Sequence, residues 1–217
     1  MDSPSGAFTF RAARSPADAA AAYEIIDAAA RRMLHESGLM HWLYPFKNVT
    51  LIERLATSPS SVVLLAFDGT CDGVAAPLAT VTLSCVPLST YVDPATWHDR
   101  DAPAAYIGNL AVSPTASRRG VGSAIMSAAC DVARSQYNAQ FMRLDAITEN
   151  AALAGFYSKL GFEMRGHPAP HTHPNRFALS AVVNSIAGPP NTEPYVLRTP
   201  NSSSTFTVHC QCWEMKL

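Results

Sequence analysis

A glycine-rich motif in the middle of the chain has the residue types that hold phosphate groups. It reads RRGVGS over Arg118–Ser123 and follows an apolar run, Tyr106–Val112, that is closed by Pro114. A helical apolar pattern begins inside the motif, so its glycines fall at a helix N-terminus. Unpaired N–H groups and the positive end of the helix dipole attract anions there, and glycine lets the backbone approach closely. The motif predicts phosphate or pyrophosphate binding, although a tight turn with two solvated arginines would look the same.

A second motif supplies an amide and a phenol on one helix face. Asn150 and Tyr157 lie seven residues apart, which is two helical turns, so the two side chains share a face about 10 Å apart. Gly161 follows the helical pattern at the position that ends a helix, and Phe162 begins the next apolar stretch. This pair could therefore act together on one bound ligand.

The elements that position these motifs form a crossover unit. An apolar strand over Tyr106–Val112 leads through the glycine turn into a helix whose apolar stripe comprises Val121, Ala124, Ile125, Ala128 and Val132. A second strand, Phe141–Ala146, and a second helix, Asn150–Leu160, follow. The order of strand, helix, strand and helix predicts two parallel neighbouring strands.

In this order and spacing the motifs resemble the GNAT superfamily of N-acetyltransferases, which use acetyl-CoA. The family pattern is an apolar triplet at a strand end, then Gln/Arg-x-x-Gly-x-Gly/Ala, then Asn-x6-Tyr-x3-Gly-Phe. The match is close over about sixty residues and departs at Ser117, where the family prefers Gln or Arg. The resemblance implies an α/β (α+β) fold with a central, mostly antiparallel sheet, one parallel and splayed strand pair, and flanking helices.

The resemblance also implies roles for individual residues. The strand backbone would pair with the pantetheine arm, the glycine motif would hold the pyrophosphate, and Asn150 would contact acetyl-CoA where the strands part. Tyr157 would be the general acid for the departing thiolate. The base stays open between Asp145 and bound water assisted by loop acids. The implied cofactor-binding residues are Leu110, Ala111, Val112, Arg118, Arg119, Gly120, Val121, Gly122, Ser123 and Asn150.

The predicted reaction is acetyl transfer to a primary amine of a small molecule or peptide. A lysine-like amine with a pKa near 10.4 is about one part in 10³ neutral at pH 7, so the enzyme must desolvate it or remove its proton. The alternative function is a non-catalytic acyl-CoA-binding regulatory or interaction module.

Composition bounds the class of protein. The 217 residues predict one domain, 1–217, and the net charge of −1 argues against nucleic-acid binding. No basic leader or run of about 18 apolar residues is present, so we expect no membrane contact and a cytoplasmic location. Five cysteines without framework spacing, with Cys85 and Cys130 in apolar patterns, indicate buried free thiols. We expect no metal, because the Pro-separated spacing of four histidines fits no zinc pattern; they are His167, His171, His173 and His209.

The N-terminal half predicts an antiparallel meander with two helices. A strand at Phe8–Arg11 precedes a helix that is capped by Ser15 and ended by Gly38. A short helix from Asn48 through Ala56 follows. Two further strands, Ser61–Phe67 and Val74–Val86, lead into the crossover unit.

Three variable segments have two interpretations each. The aromatic stretch with Trp42 is a core plug or a wall of the acceptor pocket, and the Pro87–Pro103 loop with Asp93 and Trp97 is a solvated loop or an amine-binding surface. An insert over about 167–204, before the last strand at Thr205–Leu217, is longer than ordinary connections. We expect it to form a flap over the acceptor site or a homodimer contact.

Overall fold

A computed structural model describes residues 8–38, 49–69, 75–88, 92–174 and 205–217. Helices pack against one seven-stranded sheet whose strand order is β1-β2-β3-β4-β5-β7-β6. The elements in chain order are β1 (Phe8–Ala12), α1 (Pro16–Ser37), α2 (Val49–Thr57), β2 (Ser61–Asp68), β3 (Ala79–Ser84), β4 (Ala104–Val112), α3 (Val121–Tyr137), β5 (Phe141–Ile147), α4 (Ala151–Lys159), β6 (Glu163–Pro174) and β7 (Thr205–Lys216).

The sheet is antiparallel except at its centre. Strands β1 to β4 form the predicted meander, and β4 and β5 are the parallel pair. Strand β7 lies antiparallel to β5, and β6 lies at the edge beyond β7. The predicted mixed fold with one parallel pair is therefore confirmed.

Local sequence signals fix both ends of α1. The Ser15 hydroxyl accepts a hydrogen bond from the Asp18 N–H at 3.1 Å, and the Asp18 carboxylate accepts one from the Ser15 N–H at 3.2 Å. The Arg11 guanidinium, 2.7 Å from the Asp18 carboxylate, holds the pKa of that acid well below its usual range. Gly38 ends α1 with a left-handed φ of 65°.

Two apolar clusters cover the two faces of the sheet. One lies under α3 and α4 and includes Trp213 of β7, and the other lies under α1 and α2. The buried stripe of α3 is rotated from the predicted one: Ala124, Ala128 and Val132 are half-buried, since the sheet meets the neighbouring face of the helix. The fully buried side chains of α3 are Val121, Ile125, Met126, Ala129 and Ala133.

The structure corrects several expectations. Cys85 is exposed, because β3 ends at Ser84, and Cys130 is half-buried. Strand β6 continues to Pro174, so residues 169–174, predicted to lie in the insert, pair with β7. Trp42 and residues 175–204 of the insert lie outside the described residues. Within the described part of the chain, no helix has the length and apolarity to cross a bilayer.

Candidate functional site

The two parallel strands part soon after they meet. They pair only from Ala104–Tyr106 to Phe141–Arg143, although both are described over their whole length. An irregularity in the β3–β4 register accompanies the left-handed Asn109, whose φ is 51° and whose side-chain amide donates to the Thr82 hydroxyl at 3.3 Å. Beyond Tyr106 the β5 side of β4 is therefore open, and its main chain can receive an extended ligand in the manner of an added strand.

The glycine motif lies where β4 leads into α3. Gly120 caps α3 with a φ of 82°, a conformation that favours glycine, and a Cβ built there would meet nothing within 4 Å. The space beside the helix N-terminus is thus open. A Cβ at Gly122 would lie 3.5 Å from Val112 and 3.6 Å from Phe156, so this glycine brings α3 close to β4 and α4.

The predicted cofactor residues divide into backbone and side-chain contributors. Leu110 and Val112 are half-buried, whereas Ala111 is buried against the α1–α2 cluster. In the motif, Val121 is buried, Gly122 is half-buried, and the exposed residues are Arg118, Arg119, Gly120 and Ser123.

One of the two arginines points elsewhere. The Arg119 guanidinium lies 2.6 Å from the Asp68 carboxylate of β2 and 6.0 Å from the Phe8 ring. Arg32 of α1 instead donates a hydrogen bond to the hydroxyl of Ser117, just before the motif. Asn150 begins α4, and its amide lies 3.8 Å from the Met33 sulfur of α1.

The predicted acid, Tyr157, is buried in an aromatic cluster. Its side chain is 6% exposed, and its ring centre lies 5.3 Å from Phe156, 5.8 Å from Phe162 and 6.0 Å from Trp213. Burial raises the pKa of Tyr157, and the Asp145 carboxylate raises that pKa further. The phenol is therefore neutral at physiological pH. The two predicted catalytic residues lie within electrostatic reach of each other.

Asp145 lies half-buried on β5, opposite Cys212 of β7. Burial, followed by the Asp145 charge, raises the pKa of the Cys212 thiol to about 11. That thiol is therefore neutral near pH 7, and it borders the carboxylate without being a nucleophile at that pH.

A small cleft, open to solvent, lies between the two strands and the loop after β3. Leu88 of this loop packs directly on Gly108 of β4, where a Cβ would come within 2.8 Å of the Leu88 Cδ1. The lining residues are Pro87, Leu88, Val92, Pro94, Trp97, Arg100, Tyr106, Ile107, Arg143, Leu144 and Asp145. Asp145 therefore lies both on one of the splayed strands and in the lining of the cleft.

The acids of this loop serve as turn caps. Asp93 accepts a hydrogen bond from the Ala95 N–H at 2.9 Å, and Asp99 accepts bonds from the N–H groups of Asp101 and Ala102, each at 3.2 Å. Among the described residues, Asp145 is the acid that lines the cleft. Within those same residues, no group of three or more metal-ligating side chains comes together.

A buried ion-pair network behind the cleft was not predicted from the sequence. The side chains of Arg143 and Glu214 are 0% exposed, and the Arg143 Nε lies 2.9 Å from a Glu214 oxygen. The other Glu214 oxygen accepts from the Arg165 Nε at 3.0 Å and from the His98 N–H at 3.3 Å. The available signal was Arg143 itself, a charged residue within the apolar FMRLDA run.

Arg143 also holds the loop that forms the cleft wall. Its guanidinium donates to the Asp99 carbonyl oxygen and, at 3.3 Å, to the Tyr106 hydroxyl. The Arg143 Cζ lies 5.3 Å from the Trp97 ring centre, a cation–π distance. The network therefore connects β5, β7 and β6 to the loop.

The splayed strands, the open helix N-terminus and the buried tyrosine have the arrangement that the sequence resemblance implied. Residues 88–162 match the model of the Acetyltransferase (GNAT) family. The predicted GNAT resemblance is confirmed. The predicted class of enzyme, an acetyltransferase, is confirmed at the level of the family. No curated protein matches the chain.

Solved structures share the fold at low sequence identity. A GNAT-family acetyltransferase from Staphylococcus aureus Mu50 is 11% identical, with 97% of this chain and 99% of that chain covered and a TM-score of 0.57. The ribosomal-protein-S18-alanine N-acetyltransferase from Escherichia coli is 16% identical (97% and 94% covered, TM-score 0.53). The spermidine N-acetyltransferase from Vibrio cholerae, solved with CoA and spermine, is 12% identical (96% and 95% covered, TM-score 0.55).

Proposed function

We propose that this protein transfers an acetyl group from acetyl-CoA to a primary amine of a small molecule or peptide. The observation that carries the proposal is the gap between β4 and β5, which runs from an open helix N-terminus at Gly120 to Asp145 and the cleft. Acetyl-CoA supplies the activated acetyl thioester. The family match over residues 88–162 and the CoA bound to the spermidine N-acetyltransferase of similar fold support this cofactor.

The residues present fit such a cofactor. The β4 backbone over Leu110–Val112 would hydrogen-bond an extended arm, and the N–H groups over Gly120–Ser123 would hold two phosphates. Asn150 lies at the start of α4 beside the gap. Because the Arg119 guanidinium pairs with Asp68, we assign Arg119 a backbone role only and leave Arg118 as the exposed cation of the motif.

Tyr157 would donate a hydrogen bond to the departing sulfur. A phenol of pKa 10 facing a thiol of pKa about 8.5 loses its proton at a cost of about 2 kcal/mol, and burial increases that cost. The Tyr157 O–H therefore stabilises the thiolate by a hydrogen bond in the transition state more than by complete proton transfer.

Asp145 would receive the acceptor amine. Neutralising a lysine-like ammonium at pH 7 requires about 4–5 kcal/mol, and a carboxylate at the cleft lowers this requirement by collecting the proton directly or through water. Asp93 and Asp99 cap turns in the loop, which favours Asp145 over the loop acids as the base.

Ligand binding and turnover test the proposal together. Acetyl-CoA at a hundredfold excess over its dissociation constant should raise the free energy of unfolding by about 2.7 kcal/mol, measured as a thermal shift. Tyr157→Phe should keep this shift and lower the rate of amine acetylation by about a hundredfold. Tyr137→Phe, a half-buried tyrosine at the end of α3, is the matched control and should leave both unchanged.

Three results would contradict parts of this proposal. If acetyl-CoA gave no thermal shift, the proposal that it is the cofactor would be wrong. A shift without acetylation of any amine would favour a non-catalytic acyl-CoA-binding regulatory or interaction module. Undiminished turnover in Tyr157→Phe would remove the tyrosine's role. The four described cysteines form no disulfide, which supports our proposal of a cytoplasmic location.

A further inference from the structure

The cleft beside Asp145 differs from a site for a polycation. Among the eleven described residues that line it, eight are apolar or aromatic and three are charged: Arg100, Arg143 and Asp145. We infer that the acceptor is a small monoamine whose amine carries an apolar or aromatic group, and that polyamines are poor acceptors. This inference rests on the proposed function.

The shape of the cleft supports an apolar substituent. Pro87, Leu88, Val92 and Pro94 form one wall from the loop, whereas Ile107 and Leu144 border the cleft from the two strands while their side chains pack in the core cluster under α3 and α4. The Trp97 and Tyr106 rings meet edge to face with centres 6.3 Å apart. Apolar walls with a few polar groups are typical of small-molecule sites, and burial of an aryl or alkyl group there is favourable.

The wall is held in place before a ligand arrives. Arg143 lies against the Trp97 ring and donates to the Asp99 carbonyl oxygen. A Cβ built at Gly166 of β6 would come within 3.0 Å of the Thr96 Cγ2, so the loop packs closely on the edge hairpin at this glycine. A preformed wall loses little conformational freedom on binding, which favours a rigid apolar group.

The charges disfavour a second ammonium group. The described lining residues include two cations and one anion; Arg143 is paired with Glu214, so one ammonium can face Asp145 while a further one comes near Arg100 at the rim. Glu214 is shared between Arg143 and Arg165 and is fully buried behind the lining. The additional amines of a polyamine therefore lack a carboxylate partner among the described lining residues and meet a cation at the rim, which disfavours their binding.

The experiment compares two probe amines on the full chain with acetyl-CoA. We expect kcat/KM for 2-phenylethylamine to exceed that for spermidine by at least about tenfold, the discrimination that apolar pockets typically give. Arg100→Glu should raise kcat/KM for spermidine by about threefold or more, because it reverses a cation at the rim. Arg134→Glu is the matched control: Arg134 pairs with Asp131 at 3.4 Å on α3, as Arg100 pairs with Asp101 at 3.5 Å.

The other outcomes of this experiment would overturn either the inference or the proposed function. Faster turnover of spermidine, or of a peptide N-terminus, than of 2-phenylethylamine would overturn the inference and leave the proposed function standing. Equal effects of Arg100→Glu and Arg134→Glu would overturn the exclusion by charge. Binding of acetyl-CoA without acetylation of any of these amines would overturn the proposed function and the inference with it.

Discussion

The two faces of β5 carry opposite kinds of residues. Towards α3 and α4, Met142, Leu144 and Ala146 are buried in the apolar cluster that also contains Tyr157 and Trp213. Alternating with these residues, Arg143 and Asp145 point to the other face, where Arg143 is fully buried against Glu214. One strand thus contributes both a close-packed core and a charged interior.

The difference separates what stabilises the fold from what prepares the site. Apolar burial contributes about 25 cal/mol per Å², so burial of the first face stabilises the fold by itself. A buried ion pair must first recover the loss of hydration of two charges, and well-packed apolar residues are often as stable in its place. We infer that the charged face contributes less to the net free energy of folding than to the position of the Trp97 loop.

The largest expected effect is on the charged face. Glu214→Gln should lower the free energy of unfolding by about 3–5 kcal/mol, because it leaves the buried Arg143 without a carboxylate. Glu163→Gln, which alters an exposed partner of Arg165, should change it by less than about 0.5 kcal/mol. Urea unfolding of both variants measures the two effects. Equal losses would contradict the distinction between buried and exposed pairs.

On the apolar face, Leu144→Ala should lower the free energy of unfolding by about 3 kcal/mol, since Leu144 is 3% exposed in the core cluster. Denaturant unfolding would check it. A loss below about 1 kcal/mol would mean that the cluster can close around the missing methyl groups.

Replacing both charges tests the comparison directly. Arg143→Met combined with Glu214→Leu should recover most of the stability lost in Glu214→Gln, to within about 1 kcal/mol of the native chain. The same double variant should weaken the binding of amine acceptors, because Trp97 and the Asp99 carbonyl lose the guanidinium. Unfolding curves and acceptor KM values measure the two consequences. If the double variant stayed as unstable as Glu214→Gln, the ion-pair network would be needed for the stability of the fold.

The smallest effect concerns the thiol beside Asp145. Alkylation of Cys212 should follow its raised pKa of about 11 and increase mainly above pH 9, because the thiolate is the reactive form. Asp145→Asn should move this pH profile downward, since it removes a nearby negative charge. Cys130, whose pKa is raised mainly by burial and not by Asp145, is the internal control. Peptide mass spectrometry across pH would detect the shift.

The Cys212 thiol also makes stability depend on pH. A folded-state pKa above the unfolded value of 9.0 means that the native chain keeps a proton which the unfolded chain releases. The contribution is fully present below pH 9 and is lost as the pH rises through about 11.

The sequence predicted the elements that depend on local patterns. The β4–α3–β5–α4 unit and the caps of α1 were predicted because glycines, an N-cap serine and apolar periodicity act over a few residues. Tyr157 and Asp145 were chosen by family resemblance, and the structure brings them within electrostatic reach. Their catalytic roles stay predictions.

The features that the sequence did not predict depend on pairing between residues that are far apart along the chain. Arg143 and Glu214 are 71 residues apart, and only the β5–β7 register makes them opposite each other. The Arg119–Asp68 pair spans 51 residues and involves an arginine whose role at the cofactor stays a prediction. Single-sequence patterns contain no register, so neither pair could be predicted.

Strand β6 has a consequence for assembly. It lies at the outer edge of the sheet, and Pro170 and Pro174 share one alternate-residue series within its regularly paired part. Proline has no N–H, and a strand at a border accommodates it on the side that faces no neighbour. That side therefore offers fewer donors to an incoming backbone, which disfavours edge-to-edge pairing at β6. A homodimer of this protein would have to form without continuing the sheet past β6.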